Sequence, residues 1–403
     1  MTMMRSCKTS QPTRRQSRTA LTTAVAAFAL FAANAAHAVD WTGYMRGGPA
    51  ATNVSGESRQ CYGLNSPGLK YRLGNECDFY GEFQLAQAMK ADGVDFNAVL
   101  MTNFYSPQSE TNHDYGIEQA YVEMKGVDIA PGALFWMGKR RDRDDVHIVD
   151  TFFTNMSGVG AGVENIDAGF GKFGFAGYKT DTNGGANGIA RLHAQLYDVQ
   201  ANPDGKLRFV ATFSKADSQG GVKGKDGFGL TVEHVQDKFF GGGNHIWVQY
   251  AQGSTNINQG FGNATADTNT KTWRVVESPS WQIGAFGGQA IALYQHDEAD
   301  GGVKWNSYTL GGRGSLGLTK NLKFLTEIGF SGRKPNGGSQ ENLTKVTIGP
   351  ALSTGPDFWK RPELRLYVTY ADFNKAAAQD AQNGLPASKT NAVSYGAQLE
   401  IWF

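Results

Sequence analysis

The 403-residue chain lacks several features, and each absence removes a class of protein. After residue 38 it has no apolar run long enough to cross a bilayer as a helix, which excludes a helical membrane protein. It shows no amphipathic helix of normal length and no repeat of fixed period, which disfavours solenoids and propellers and indicates an all-β chain. Outside the first 38 residues it has no basic excess, which excludes a general nucleic-acid-binding face.

Residues 1–38 have the composition of a cleaved secretory signal. Basic residues without any acidic residue occupy the first half, an apolar run follows at Ala20–Ala33, and Ala36-His37-Ala38 fits a small-x-small cleavage site. The apolar run is too short for a membrane anchor. We therefore predict an exported protein whose mature part, residues 39–403, forms a single domain.

Cysteine is scarce. Cys7 falls within the predicted signal, so the mature chain keeps only Cys61 and Cys77. An even pair in an exported chain predicts a disulfide, because the compartment is oxidising. In the loop-entropy description such a bond would stabilise the fold by about 3 kcal/mol. Two free thiols are the alternative.

What the chain does contain is short segments of alternating polarity, bounded by Gly, Asn and Asp clusters. Residues 393–403 place apolar side chains at the odd positions, and residues 364–370 place them at the even positions. Gly-rich turn candidates alternate with longer polar stretches such as Gly253–Thr270. Short turns at one end and longer loops at the other are typical of an outer-membrane β-barrel.

A large soluble β-sandwich or β-helix would also contain alternating strands. Aromatic residues favour the barrel, because the apolar faces end in Tyr370, Tyr395 and Phe403, as residues at a membrane interface do. The predicted fold class is therefore all-β, a transmembrane antiparallel β-barrel of the outer-membrane type.

One segment, Gly138–Asp167, fits neither a strand nor a helix. It carries eight charges and a His within Lys139–Asp150, then Phe152-Phe153 and a Gly-rich run. On this pattern it is a long ordered loop, and such loops inside compact folds are usually functional. Taken alone, the run Arg140–Asp144 would be interpreted as a solvated loop face.

Six stretches carry a resemblance to one family. They are VDWTGYMRGG (39–48), RQCYGLNSPGLKYRLGNECDFYGEF (59–83), MGKRRDRDDVHIVD (137–150), SGVGAGVENIDAGFGK (157–172), FWKRPELRLYVTYADF (358–373) and GAQLEIWF (396–403). In content and order they resemble the maltoporins, the sugar-specific porins of the Gram-negative outer membrane. The resemblance is thin between residues 180 and 340.

This resemblance implies a barrel of eighteen antiparallel strands, a homotrimer, and a third loop folded inward to constrict each pore. A sixteen-stranded general porin would also fit the length, but the motifs argue against it. The implied partners are a disaccharide or oligosaccharide substrate and outer-membrane lipid.

The resemblance also implies where the sugar is bound. Aromatic planes contact the C–H faces of a sugar ring, while charged groups exchange hydrogen bonds with its hydroxyl rim. The implied aromatic path is Tyr44, Tyr80, Trp359 and Trp402. The implied ionic track and constriction are Arg46, Arg72, Glu82, Arg143, Asp145, Asp150 and Phe152. Alternate side chains of a strand share one face. Each aromatic residue of the path alternates in step with the polar residues of its own strand, which predicts that it faces the lumen.

Several positions depart from the family pattern. Phe152 replaces a Tyr and lacks its hydroxyl, and Glu118 stands where an Arg of the ionic track is expected. Thr154 and Asn155 replace an aromatic and an acid. His113 and Tyr115 are the candidates for an aromatic lent to a neighbouring subunit. The predicted substrate is therefore maltose, maltodextrins or a related oligosaccharide, with a less selective porin as the alternative.

Other classes can be built from the same residues. Asp145, His147 and Ser157 could be arranged as a catalytic triad, and Asp145, His147 and Asp150 as a metal site. Neither has a supporting frame, since there is no strand–elbow–helix pattern and no further ligand at a recognisable spacing. We predict no enzyme, no cofactor and no metal. A secreted β-rich carbohydrate-binding protein is the remaining alternative.

Overall fold

The computed structural model describes residues 39–64, 70–107, 114–180, 188–217, 224–380, 385 and 389–403. Two predictions lie outside the described residues: the signal at 1–38 and the role of His113. Residues 40–403 form one compact unit.

Within the described ranges, nineteen strands form one closed antiparallel sheet and two more form a separate hairpin. The first strands are β1 Asp40–Gly47, β2 Ala50–Thr52, β3 Phe79–Ala91, β4 Val94–Ser106, β5 Asp114–Lys125 and β6 Leu134–Arg140. The hairpin is β7 Arg143–Val146 with β8 Thr151–Asn155. The sheet continues with β9 Gly158–Asp167, β10 Lys172–Lys179, β11 Ile189–Asn202, β12 Gly205–Ala216, β13 Gly227–Phe239 and β14 Gly242–Gln252. It ends with β15 Lys271–Ile283, β16 Phe286–Glu298, β17 Lys304–Gly317, β18 Leu322–Pro335, β19 Glu341–Ser353, β20 Glu363–Phe373 and β21 Asn391–Trp402.

Helix is minor in the described part of the chain. A single 3-10 turn covers Asp300–Gly302, and helix α1 covers Lys375–Gln379, where the Asn374 side chain caps the first turn. No helix among the described residues is long and apolar enough to cross a membrane.

Period-two polarity gives the barrel wall two different faces. In β20, Leu364 and Leu366 are 55% and 61% exposed, whereas Arg365 and Tyr367 between them are 3% and 8% exposed. Successive side chains of a strand point to opposite faces, so the apolar set faces outward and the polar set faces inward. This pattern confirms the alternation predicted for residues 364–370, and it is that of a wall with lipid on the outside.

The barrel closes because β1 pairs with both β21 and β3. The three-residue β2 also pairs with β21, at positions of β21 that precede those paired with β1. The break between β1 and β2 falls at Gly48, whose φ is +150° and where a Cβ would lie 2.2 Å from the Ala397 carbonyl oxygen. Counting β1 and β2 as one interrupted strand gives eighteen strands, which confirms the predicted number.

Connections differ between the two ends of the barrel. At one end, here called the turn end, the strands are joined by residues 92–93, 126–133, 168–171, 203–204, 240–241, 284–285, 318–321 and 354–362. At the loop end the intervening segments include 53–78, 141–157, 253–270 and 374–390. The segment 141–157, third in order at the loop end, is called the third loop below.

Two sequence predictions about the segments at the loop end can be compared with the structure. The prediction that all of Gly138–Asp167 is loop is wrong, because β9 continues the sheet from Gly158 and the third loop holds the β7–β8 hairpin. Glycines give β9 little side-chain alternation, so its period was hidden. The predicted disulfide is confirmed: Cys61 is bonded to Cys77 in segment 53–78.

Candidate functional site

The third loop has two parts of different character, an apolar anchor (residues 146–153) and a charged arm (residues 141–145). In the anchor, Val146, Ile148, Val149 and Phe153 have no exposed surface. They belong to a buried cluster that also contains Trp247, Val276, Ile291, Leu293, Tyr71 and Phe358. The anchor is thus packed against the inward faces of β14, β15 and β16.

Hydrogen bonds complete the attachment of the anchor. The Phe153 carbonyl oxygen accepts from Gln249 Nε2 at 2.8 Å and from Arg274 Nη2 at 2.9 Å. Phe153 also stacks on Trp247 with ring centroids 5.3 Å apart. Burying these apolar groups stabilises the loop position by about 2 kcal/mol for each large side chain.

In the charged arm, successive side chains point to opposite sides. Arg141 pairs with Glu82 of β3 and with Glu118 of β5, the latter at 2.8 Å. Asp142 and Asp144 face the other way and pair with Arg208 of β12 at 3.4 and 3.0 Å. The solvated interpretation of this charge run is therefore wrong, because the run is extended and each face meets a wall of the opposite charge.

Segment 53–78 and β1 contribute a dense ionic cluster beside the arm. Arg46 contacts Asp78 at 2.6 Å and Asp150 at 3.2 Å, and its guanidinium is 3.4 Å from Glu76. Arg72 also pairs with Glu76. Burial alone would raise the pKa of Glu76, but Arg72 and Arg46 outweigh it and lower the pKa to about 2. The Glu76 carboxylate therefore stays ionised at any physiological pH.

One cavity of about 390 Å³ collects most of the predicted site. It is lined by Tyr44, Arg46, Arg72, Tyr80, Glu82, Arg143, Asp145, His147, Asp150, Phe152 and Trp402. Ten of these were predicted site residues, brought together from both ends of the chain. We call this space the first cavity. Trp359 is the one predicted site residue that does not line it.

Trp359 also corrects the parity argument. It lies in the turn-end connection 354–362 and not in a strand, so period two says nothing about where it points. The residue is 42% exposed, and its ring lies 6.4 Å from that of Trp402 and 5.5 Å from that of His147, measured between centroids. Trp359 therefore adjoins the first cavity through Trp402.

The aromatic residues of the cavity are held by polar groups. Tyr44 donates its hydroxyl to Glu400 at 3.0 Å, and Tyr80 donates to Glu82 at 2.8 Å. The Arg361 guanidinium lies 4.1 Å from the Trp402 ring centroid. Fixed rings lose little side-chain entropy when a ligand stacks on them.

His147 is the lining residue that the sequence did not assign to a sugar site. Its Nδ1 lies 3.2 Å from Arg72 Nη1, and its Nε2 lies 3.2 Å from Arg361 Nη2 and 3.5 Å from Glu400 Oε2. Burial lowers the pKa of His147 to about 4 although Glu400 opposes the shift, so the imidazole is neutral. Within the described part of the chain, the Ser157 hydroxyl instead accepts a hydrogen bond from the Asp142 amide, and it makes none with His147, the partner that a catalytic triad would require.

Phe152 lies against the arm. The Arg143 guanidinium is 4.3 Å from its ring centroid and 3.6 Å from Glu82. Burial, with Arg141 nearby, lowers the pKa of Arg143, and burial raises the pKa of Asp145. Within the described ranges, no three His, Cys, Asp or Glu side chains are placed to hold a metal ion.

A second cavity, of about 540 Å³, lies on the other side of the charged arm. Its walls come from β9, β11, β12, β13 and β14, and Asp142, Asp144, Arg208, Glu233 and His245 are among its lining residues. It contains few aromatic side chains. The arm therefore separates an aromatic, ionic space from one that is lined mainly by polar and charged side chains.

Residues that depart from the family pattern occupy defined places. Glu118 pairs with Arg141 and accepts from Asn103. Thr154 is fully buried in β8 and the Asn155 amide donates to the Asn258 carbonyl. Tyr115 is 80% exposed on β5. Its contribution to a neighbouring subunit stays a prediction.

A closed antiparallel barrel with an apolar outer face and an ion-lined interior defines an outer-membrane channel. Comparison with known families gives the same class and specifies it: the family described as LamB porin matches residues 39–403. The chain belongs to the LamB porin family, which confirms the predicted resemblance and the Gram-negative outer membrane as its location. It also overturns the alternative of a secreted β-rich protein.

Distant likenesses to solved structures also exist. OmpT of Vibrio cholerae in its trimer form is 10% identical with a TM-score of 0.42, covering 90% of this chain and 99% of that one. The anion-selective porin from Comamonas acidovorans is 11% identical with a TM-score of 0.45, over 90% and 99%. Wzi of Escherichia coli, a carbohydrate-binding β-barrel, is 9% identical with a TM-score of 0.47, over 98% and 90%.

Proposed function

We propose that this porin conducts sugars, namely maltose, maltodextrins or a related oligosaccharide, by facilitated diffusion through the first cavity. The observation that carries the proposal is the convergence of aromatic rings and charged groups on that one space. Tyr44, Tyr80 and Trp402 offer planes for the sugar C–H faces. Arg72 and Asp150 are among the donors and acceptors for the hydroxyl rim.

We further propose that the third loop constricts the pore, with Phe152 and the charged arm at its narrowest part. The proposal is supported by the contacts of the anchor with the inward faces of β14, β15 and β16. Because Phe152 has no hydroxyl, it acts by shape and by stacking, while Arg143 and Asp145 carry the polar contacts. The sites of sugar contact are those predicted from the family.

A less selective porin is the second candidate, and one observation favours it. The Arg361 guanidinium lies over the Trp402 ring, and the Arg46 guanidinium lies 5.4 Å from the Tyr80 centroid. A ring face covered by a side chain is not available for stacking. Each ring would then offer only its other face, which would weaken sugar binding relative to ion flow.

The mature protein would begin after residue 38 and act as a homotrimer. The signal-like composition of residues 1–38 supports the cleavage. Membership of the porin family, whose resemblance implies a homotrimer, supports the oligomeric state. Detergent-extracted protein should migrate as a large species on an unboiled gel and as a single chain after boiling.

Current recordings test the function. The purified protein is inserted in a planar bilayer, and open-channel current is titrated with glucose, sucrose, maltose and maltohexaose. A sugar channel shows saturable current block whose half-block concentration falls as maltodextrin length increases. Currents that decrease only with solution viscosity, equally for all four sugars, would favour the less selective porin.

A further inference from the structure

One cation on the wall of the second cavity makes most of the contacts between that wall and the charged arm. Arg208 of β12 donates to Asp144 at 3.0 Å and to Asp142 at 3.4 Å. Gln195 Oε1 accepts from its Nε and Nη2 at 3.1 and 2.9 Å, which fixes the guanidinium plane. Among the described residues, Asp142 and Asp144 of the arm both make their ion pairs with Arg208.

The wall on the other side of the arm carries carboxylates, which attract the basic side chains of the arm. Arg141 pairs with Glu82 and Glu118, and Arg143 approaches Glu82. The arm is thus held between two walls by ion pairs of alternating sign. The arm is also supported by polar contacts, such as that of the Arg141 amide with Gln119 Oε1 at 3.0 Å, by the contact of Arg143 with the Phe152 ring, and by the pairing of β7 with β8.

Loss of Arg208 would disturb this balance in one direction. Glu233 of β13 is 3% exposed and lies 3.8 Å from the Arg208 guanidinium. Without that cation, Glu233, Asp142 and Asp144 would face one another with less compensation. Their repulsion, together with the attraction of Arg141 to Glu82, would move the arm toward the first cavity.

We propose that Arg208 is a positioning residue, which holds the charged arm toward the second cavity and so sets the width of the first. The proposal rests on the proposed constriction by the third loop. It assigns to Arg208 no contact with the transported sugar, because the arm lies between Arg208 and the first cavity. The apolar anchor would then be fixed by packing, while the position of the charged arm would depend on its ion pairs.

The chain offers a matched control for the experiment. Lys206 is on the same strand and lines the same cavity, but it pairs with Asp198 at 3.0 Å and not with the arm. Single-channel conductance is measured for Arg208→Gln, Arg208→Lys and Lys206→Gln in 0.1 M and 1 M KCl. We expect Arg208→Gln to lower the conductance by roughly a factor of two at 0.1 M, where ion pairs are least screened, and by less at 1 M.

Conservative and reciprocal variants separate positioning from a merely structural role. Arg208→Lys should conduct like the wild type, and the charge exchange Arg208→Glu with Asp144→Arg should recover most of the conductance. Asp142→Asn with Asp144→Asn removes the same ion pairs without changing β12 and without the repulsion from Glu233, so it should lower the conductance in the same direction but by less than Arg208→Gln. Heat-modifiable migration on gels verifies that each barrel is folded.

The proposal is overturned if Arg208→Gln matches Lys206→Gln at both salt concentrations, or if the double Asn variant conducts like the wild type. If Arg208→Gln does not fold, the double Asn variant decides. Because the readout is ion current, the outcome is independent of whether sugars block the wild-type channel. Absence of sugar block would count against the proposed substrate alone.

Discussion

The two parts of the third loop, only a few residues apart, are held by different forces. In the apolar anchor, residues 146–153, the side chains of Val146, Ile148, Val149 and Phe153 are fully buried among Trp247, Val276 and their neighbours. The charged arm, residues 141–145, is held between two cavities by ion pairs whose side chains are 11–38% exposed. Dry packing gives a fixed position, whereas partly solvated ion pairs are individually weak and screened by salt.

This contrast suggests a division of labour. A channel lining needs charges that water and sugars can reach, and such charges cannot hold a loop firmly. The anchor therefore fixes the position of the loop, and the arm supplies the charges that water and sugars can reach. A similar arrangement occurs in segment 53–78, where Arg72 lines the first cavity while a disulfide and the buried side chain of Asn75 hold the segment in place.

The largest effect should come from removing the anchor. Phe153→Ala deletes a fully buried ring stacked on Trp247 and contacted by Arg274 at 4.7 Å. Truncation of a buried Phe costs about 3–5 kcal/mol, so the loop should leave its position while the barrel remains. We expect large, noisy single-channel currents and rapid proteolysis within the third loop. Uniform wild-type currents would show that the anchor does not position the loop.

The adjacent residue provides the next test. Phe152→Ala removes a partly exposed ring that contacts Arg143 and lines the first cavity. Open-channel conductance should rise because the pore widens, and sugar block should weaken by about 1 kcal/mol, the usual value of an aromatic contact. Phe152→Tyr is the control, and it should retain the conductance. A Phe152→Ala channel with unchanged current would place the constriction elsewhere.

A smaller effect is expected at the edge of the cavity. Trp402→Ala removes one stacking surface at the end of β21, where its ring lies 5.5 Å from that of His147, measured between centroids. Sugar affinity should fall by up to about 1 kcal/mol, while open-channel conductance changes little. Tyr395→Ala, on the outward face of the same strand and 53% exposed, should affect neither quantity. Equal loss of sugar block in both variants would indicate an indirect effect on β21.

The sequence was informative where structure is local or where a motif was recognised. Strand alternation, as at Leu364–Tyr370, follows from period two, because each residue's face depends only on its position in the strand. The disulfide followed from an even cysteine pair in an exported chain. The ten cavity residues followed from matched motifs, and their convergence on one space required the barrel to close.

The remainder depended on contacts between distant parts of the chain. Arg208 lies in the region where the resemblance was thin, and nothing near it in sequence indicates Asp144 as its partner. Trp359 was assigned to a strand because its parity happened to agree with that of Arg365. The sequence suggests His147 only for a catalytic triad or a metal site, since three guanidinium groups from distant segments are what make its surroundings unusual. Pairwise charge contacts of this kind have no local sequence signature.

The smallest expected effect concerns pH and sharpens the comparison at the boundary between arm and anchor. His147 lies there, with Arg72, Arg313 and Arg361 around it and Glu400 as the opposing charge. Because its pKa is lowered to about 4, the imidazole stays neutral and conductance should not change between pH 8 and 5 on its account.

Stability should change in a defined window. The unfolded chain binds a proton on His147 near its ordinary pKa of about 6.5, whereas the folded chain binds it only near 4. The unfolded state therefore holds more protons between these values, so the free energy of unfolding falls as pH decreases from 6.5 to 4. Melting of the unboiled species on gels, compared with His147→Asn, isolates this contribution, because the variant lacks the group. Parallel pH dependence in both proteins would mean that His147 titrates normally and that guanidinium groups and burial do not keep it neutral.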